Sequence, residues 1–378
     1  MREVWLLTFI EAEIKISTVN TKEAVPTDSK GGLLEAVSKH RTQIMGFAAM
    51  WIFIFHVRNE VPVFRGIPVL SVIDIYCVNI GFCGVDIFMF LSGWGLFHAF
   101  NKHSLAGFYK RRFRRLVLPL VVEAVAMAVY GKWGVLRFVK AITGWTFLTK
   151  NVHDLLWFIP AIAILYLLFP LYRKSFDKAS NKYIFTAAVI ALWFAAAFAG
   201  SLLFDRKDIY LFINRIPVFV TGILAGWLTY NGKKDLSQWT KIVLIVMLVC
   251  GVFLQYYVAF KKMPFILQEP RSGFPAYLIG IPVCFAAGIV LRMLDRVTVI
   301  QKALTFMGKI SLEFYAAQSI YIRILKETIY YSGVPFDDHL YVLVVFALSL
   351  GTGYLLYLIT TVISKKMDGE PVFADTRK

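Results

Sequence analysis

The chain has 378 residues, 58% of them hydrophobic and 17% charged, with a mean hydropathy of +0.64. A soluble domain carries roughly 45–50% apolar and about 25% charged residues, so this composition argues against a soluble globular protein. The net charge of +17 does not point to nucleic acid, because the basic residues lie between apolar blocks rather than along one solvated face.

In chain order, residues 1–40 read as a polar cytosolic leader. The apolar run Leu6–Ile10 is too short to span and is followed by Glu11, Glu13 and Lys15, with no small-residue cleavage site. A crossing helix needs about 20 mostly apolar residues. By that rule ten spans follow, roughly 42–61, 78–99, 114–131, 154–172, 183–203, 208–229, 241–260, 274–293, 309–326 and 340–363. Lys132 to Lys150 is too mixed to cross and is expected to be interfacial or re-entrant. The membrane domain is expected over 41–364 and a cytosolic tail over 365–378. With the N-terminus in the cytosol, 27 of the 41 Lys and Arg fall on that side and 13 on the other. That bias in short loops favours N-in, C-in. Cys77, Cys83, Cys250 and Cys284 sit inside apolar blocks without metal-ligand spacing, which reads as buried thiols and no metal. The expected fold is an all-α integral membrane protein of about ten transmembrane helices.

Ionisable side chains inside a bilayer are costly and mark functional positions. At 1.5 Å per residue, His56 lies about 21 Å above the cytosolic edge, and Asp86 and Arg215 about 20 Å. The three are expected in one layer in the outer half. A neutral imidazole can take a proton from a hydroxyl that attacks a carbonyl, given a partner that fixes its tautomer. Asp86 is the expected partner, and Arg215 the group that steadies the oxyanion. A structural Asp86–Arg215 ion pair is the competing reading. Glu123 lies about 10 Å above the cytosolic edge, as a substrate contact or a structural carboxyl. His98 and His103 read as interfacial. The run Lys110–Arg115 is either a topology anchor or a phosphate cradle, since Arg binds phosphate bidentately.

At these residues the sequence resembles the acyltransferase-3 family of membrane acyltransferases over about residues 41–364. The most specific stretch is Gly81-Phe-Cys-Gly84-Val85-Asp86-Ile-Phe-Met-Phe-Leu91-Ser92-Gly93. Next come Arg112 with Arg115-Leu-Val-Leu-Pro119, then Leu156-Trp157-Phe158-Ile159-Pro160, Arg215-Ile-Pro-Val-Phe219-Val-Thr-Gly222, and Gly308 through Tyr315. The resemblance implies ten or so helices, a donor of the acyl-coenzyme A type (usually acetyl) and O-acylation of carbohydrate. It also implies a catalytic His in the first span, here His56. The family's Arg eleven residues earlier corresponds to Met45, with Arg41 one turn lower and long enough to substitute. Gln318 stands where many relatives have His.

Together these readings give a donor whose phosphates dock on Arg41, Arg111, Arg112, Arg114 and Arg115. Its thioester rises to a catalytic layer of His56, Asp86 and Arg215, with Trp157, Glu123 and Gln318 contacting substrate. The expected partners are the lipid bilayer, acyl-coenzyme A and a carbohydrate acceptor, in a bacterial inner membrane. A transporter or flippase of a lipid-linked sugar and a catalytically inactive scaffold are the alternatives. The absence of repeated halves and of paired broken helices disfavours the transporter.

Overall fold

The computed structural model describes residues 31–58, 80–102, 104–149, 157–203, 212–260, 274–330 and 338–368. Among them every regular element is helical. In chain order these are α1 (Leu33–Lys39), α2 (Arg41–Arg58), α3 (Cys83–Phe100), α4 (Leu105–Tyr130), α5 (Val135–Ile142), α6 (Trp145–Thr149) and α7 (Phe158–Lys178). Then follow α8 (Lys182–Leu203), α9 (Ile216–Tyr230), α10 (Gln238–Phe260), α11 (Phe274–Met293), α12 (Thr298–Lys309), α13 (Ser311–Leu325) and α14 (Asp338–Asp368). Six of the described helices (α3, α7, α8, α10, α11 and α14) contain stretches long and apolar enough to cross a membrane, and α9 is a shorter apolar helix. Cys77, His103, Leu156, the leader before residue 31 and the tail after 368 lie outside the described residues.

The core is set by close helix crossings at glycines. A Cβ on Gly222 would sit 2.1 Å from the Phe90 carbonyl oxygen, and one on Gly93 would sit 2.2 Å from that of Phe219. Gly222 and Gly226, four apart, therefore form the small-residue stripe that lets α9 lie directly on α3. The same device joins α2 to α12, where Gly46 faces the Leu304 carbonyl and Gly308 that of Thr42. At the periphery α10 leans on α11 through Gly251. Its Ile245, Val249 and Phe253 stay about two-thirds exposed, as a lipid-facing surface requires.

Three boundaries differ from those read in the sequence. The basic run Lys110–Arg115 is part of a helix rather than a loop, because Ser104 caps α4 by accepting from the Gly107 amide at 3.2 Å. After Gly107 no further Gly or Pro occurs in the helix before Pro119. The stretch 309–326 is not one unbroken segment: α12 ends at Lys309, and α13 restarts at Ser311 and runs on into a π turn at Lys326–Tyr330. The mixed stretch 132–150 holds two short helices, α5 and α6, that meet at Gly144. That residue has φ +71°, where a side chain would be strained. Val135 and Leu136 on α5 are exposed apolar residues, the pattern of a helix lying in the membrane interface.

The end of the leader is also helical. Leu34, Ala36 and Val37 of α1 are buried, with Val37 close against Gly288 of α11. Asp235 accepts from the Leu33 amide at 2.8 Å, and Lys39 pairs with Asp295 at 2.6 Å.

Candidate functional site

One cavity runs between α2, α3, α4, α7 and α13. Along α2 it is lined by Arg41, Met45, Ala49 and Ile52. Their spacing of four, four and three residues puts them on one face of a helix. His56 is the next residue of that series. On α4 the lining residues are Arg111, Arg112, Arg115 and Leu116. Folding the basic run into a helix is what turns these arginines to a common side.

The cavity is therefore basic at one end. Arg41 donates from Nη2 to the Leu91 carbonyl at 3.0 Å, and the missing side chain at Gly95 leaves room for its guanidinium. Arg112 lies over the Tyr166 ring at 5.8 Å and the Phe108 ring at 5.9 Å. Arg115 donates to the Lys309 carbonyl at 3.3 Å. Four of the five arginines expected to bind the donor thus line one space. Arg114 instead donates to the Ser364 carbonyl of α14 at 3.3 Å.

The other end of the cavity is apolar and aromatic, closed by Phe158, Tyr315 and Gln318. Gln318 Nε2 lies 3.4 Å from His56 Nδ1, and the Tyr315 and His56 ring centroids are 6.5 Å apart. The cavity thus ends on two of the side chains that lie against His56.

Asp86 and Arg215 are brought together, but away from His56. Arg215 Nη2 is 3.8 Å from Asp86 Oδ2, with the two side chains 1% and 0% exposed. The Arg215 guanidinium lies 5.2 Å from the centre of the Trp157 ring. Trp157 meets Phe158 at 6.1 Å, and Phe158 meets Tyr315 at 5.7 Å. A row of three aromatic rings therefore leads from the ion pair to the imidazole. Depth differs as well. Gly81 faces Phe55 and Gly84 faces Ile52, so α3 descends as α2 rises. Asp86 then lies about six residues below the level of His56, or about 9 Å at the helical rise.

Glu123 is 1% exposed and accepts a hydrogen bond from Ser319. It fastens α4 to α13 next to Gln318. His98, at the basic end, is 2.9 Å from the Thr229 hydroxyl. Among the polar lining residues, Tyr166 was not singled out in the sequence. Tyr166 is one of many aromatics in an apolar run, and only the fold shows that it faces Arg112.

A model of the acyltransferase domain of the acyltransferase-3 type matches residues 44–358. No curated protein and no solved structure matches the chain.

Proposed function

Since the chain belongs to the acyltransferase-3 family, we propose that it transfers an acyl group, acetyl in the first instance, from acyl-coenzyme A to a hydroxyl of a cell-surface or exported carbohydrate. The family and the apolar helices make it a multi-pass membrane acyltransferase. The donor, the acyl group, the acceptor, the N-in, C-in orientation and the bacterial inner membrane are parts of the proposal. One observation carries it. A single cavity joins four arginines, Arg41, Arg111, Arg112 and Arg115, to the side chains against His56.

In this reading the phosphates of the donor meet the arginines, whose planar forks suit phosphate oxygens. The pantetheine arm lies along the face Met45–Ala49–Ile52 and brings the thioester to the aromatic end. Trp157, Phe158 and Tyr315 offer ring faces to the sugar. The sugar hydroxyl oxygen attacks the thioester carbonyl carbon while His56 takes the hydroxyl proton. The tetrahedral intermediate then collapses, the carbon–sulfur bond breaks, and the departing thiolate takes that proton from the imidazolium. An ester and free coenzyme A result, and His56 is neutral again. Asp86 and Arg215, behind the aromatic row, support the site rather than touch the reacting atoms.

The test is release of free thiol by the purified protein supplied with acetyl-coenzyme A and host glycans. His56→Ala is expected to lose at least about 10²-fold in kcat, the low end of what a general base contributes. Arg112→Ala and Arg115→Ala are expected to raise the donor KM by about 10-fold and leave kcat nearly unchanged, as removal of uniform binding does. Wild-type release by His56→Ala overturns the assignment of the base. Absence of thiol release from the wild type would overturn the enzyme reading.

A further inference from the structure

We propose that Gln318 is the positioning residue for His56. Its side-chain oxygen accepts from Nδ1–H and fixes the tautomer in which Nε2 is the base. The proposal deepens the acyltransferase reading above and rests on it.

Gln318 is 1% exposed, and its Oε1 is buried without a hydrogen-bond partner. Its amide stands 3.4 Å from His56 Nδ1. A primary amide has an acceptor end and a donor end of nearly the same shape, so a half-turn exchanges them. With N–H toward Nδ1, the imidazole proton lies on Nε2 and the ring has no free lone pair for a substrate. With the oxygen toward Nδ1–H, the unpartnered acceptor gains a donor and Nε2 is freed. The imidazolium formed on proton transfer keeps the same Nδ1–H bond, so the orienting contact holds through the step.

The surroundings support this assignment. No described carboxylate forms an ion pair with the ring, and Asp86 faces Arg215 instead. The neutral amide of Gln318 takes the place that a carboxylate holds in many base–orienter pairs. The rotation of α13 about its axis is fixed one residue along, where Ser319 donates to the buried Glu123 of α4. Tyr315, one turn earlier on the same helix, brings its ring centroid to 6.5 Å from that of the imidazole.

The test reads the tautomer directly and then the chemistry. In protein labelled with ¹⁵N-histidine, the His56 signals are found by difference from His56→Ala, and the wild type is expected to show Nδ1 protonated. Gln318→Leu removes the acceptor. It is expected to move the proton to Nε2, at least in part, and to lower kcat by about 10²-fold with the donor KM unchanged. Gln318→Glu keeps an acceptor oxygen and adds a negative charge that favours the imidazolium. It is expected to keep the tautomer and to move the acid limb of the kcat profile up by about one pH unit. An unchanged tautomer and unchanged kcat in Gln318→Leu would overturn the proposal, as would an unmoved acid limb in Gln318→Glu. If Gln318→Leu does not fold, Gln318→Glu decides alone. Thiol release that survives His56→Ala sinks the acyltransferase mechanism instead, and the tautomer measurement still stands.

Discussion

The two sides of α3 are held in different ways. Where α9 crosses it, backbone meets backbone through Gly93, Gly222 and Gly226, and the polar groups behind the crossing, Asp86 and Arg215, are sealed together. On the cavity side α2 meets α3 closely at Gly84, and a cavity opens between the helices beyond that point. The contacts that hold the cavity's basic mouth are side chains reaching carbonyls: Arg41 to Leu91, Arg115 to Lys309 and, just outside it, Arg114 to Ser364. The first arrangement leaves no room for adjustment, and the second leaves a channel whose walls can be changed one at a time. A membrane enzyme needs both, because substrates must enter one half while the other keeps the helices in register.

Breaking the crossing should have the largest effect. Gly222→Leu puts a branched side chain where even a Cβ would stand 2.1 Å from a backbone oxygen. Neither helix can shift without disturbing the other, so no folded protein is expected in detergent, as read by gel filtration. Gly222→Ala should cost about 3 kcal/mol, the upper end of overpacking penalties, because the atom it meets is backbone. Gly351 on α14 is the control, with nothing within 4 Å of its Cβ position. Gly351→Ala should be neutral or stabilise by up to about 1 kcal/mol, since Ala favours helix over Gly. Equal melting shifts at the two positions would mean that the crossing does not hold the fold.

The ion pair behind the crossing gives the next effect. Asp86→Asn removes one partner of a buried pair, which ordinarily costs 3–5 kcal/mol by the order-of-magnitude rule. About 3 is expected here, since the Trp157 ring still faces the guanidinium. The double change Asp86→Leu with Arg215→Met should recover most of the melting temperature, because replacing both partners with apolar groups is often neutral. Thiol release decides between the two roles of the pair. If it returns with the fold, the pair is a support; if it stays lost in a well-folded double variant, the pair carries chemistry.

The same contrast explains how much could be read in the sequence. Apolar blocks of about twenty residues announce helices whatever their neighbours, so α3, α8, α10, α11 and α14 fall close to the expected spans. The residues of the candidate site were also named one at a time, including His56, Gln318 and the arginines. Their pairing was legible only in part: the Asp86–Arg215 pair stood as the competing reading, and the Gln318–His56 contact was missed. Depth along a helix is legible from the rise per residue, but the direction in which a side chain points depends on crossings that no single helix encodes. That is why Asp86 was matched with His56 on depth, whereas the fold turns Asp86 to Arg215 and gives His56 the amide of Gln318. The helix over Lys110–Arg115 had a signal in Ser104, whose side chain caps it. A run of like charges outweighed that signal.

The smallest effect is expected at α1, which is tied to the basic face by exposed contacts. Asp235 accepts from the Leu33 amide at 2.8 Å and pairs with Lys241 at 2.6 Å. Partial burial pushes its carboxyl up, but the Lys241 ammonium and the amides of Leu33 and Leu236 outweigh that, and the net shift is downward from the ordinary value of 3.8. A depressed carboxylate contributes stability that is fully present above its ordinary value and is lost as pH falls through the lower, folded one. The tether should therefore be intact at neutral pH and weaken only below about pH 4. Asp235 is 44% exposed in its side chain, so solvent screening holds its worth below about 1 kcal/mol. Asp235→Asn at pH 7 should raise hydrogen exchange at the Leu33 amide by no more than about fivefold, the factor that 1 kcal/mol allows. The melting temperature should be left in place. Thiol release should change little, because the buried Leu34 and Val37 hold α1 against α11 without the tether. A large fall in donor affinity would show instead that α1 sets the position of Arg41, which follows it by two residues, and that the mouth of the cavity is as rigidly held as the crossing behind it.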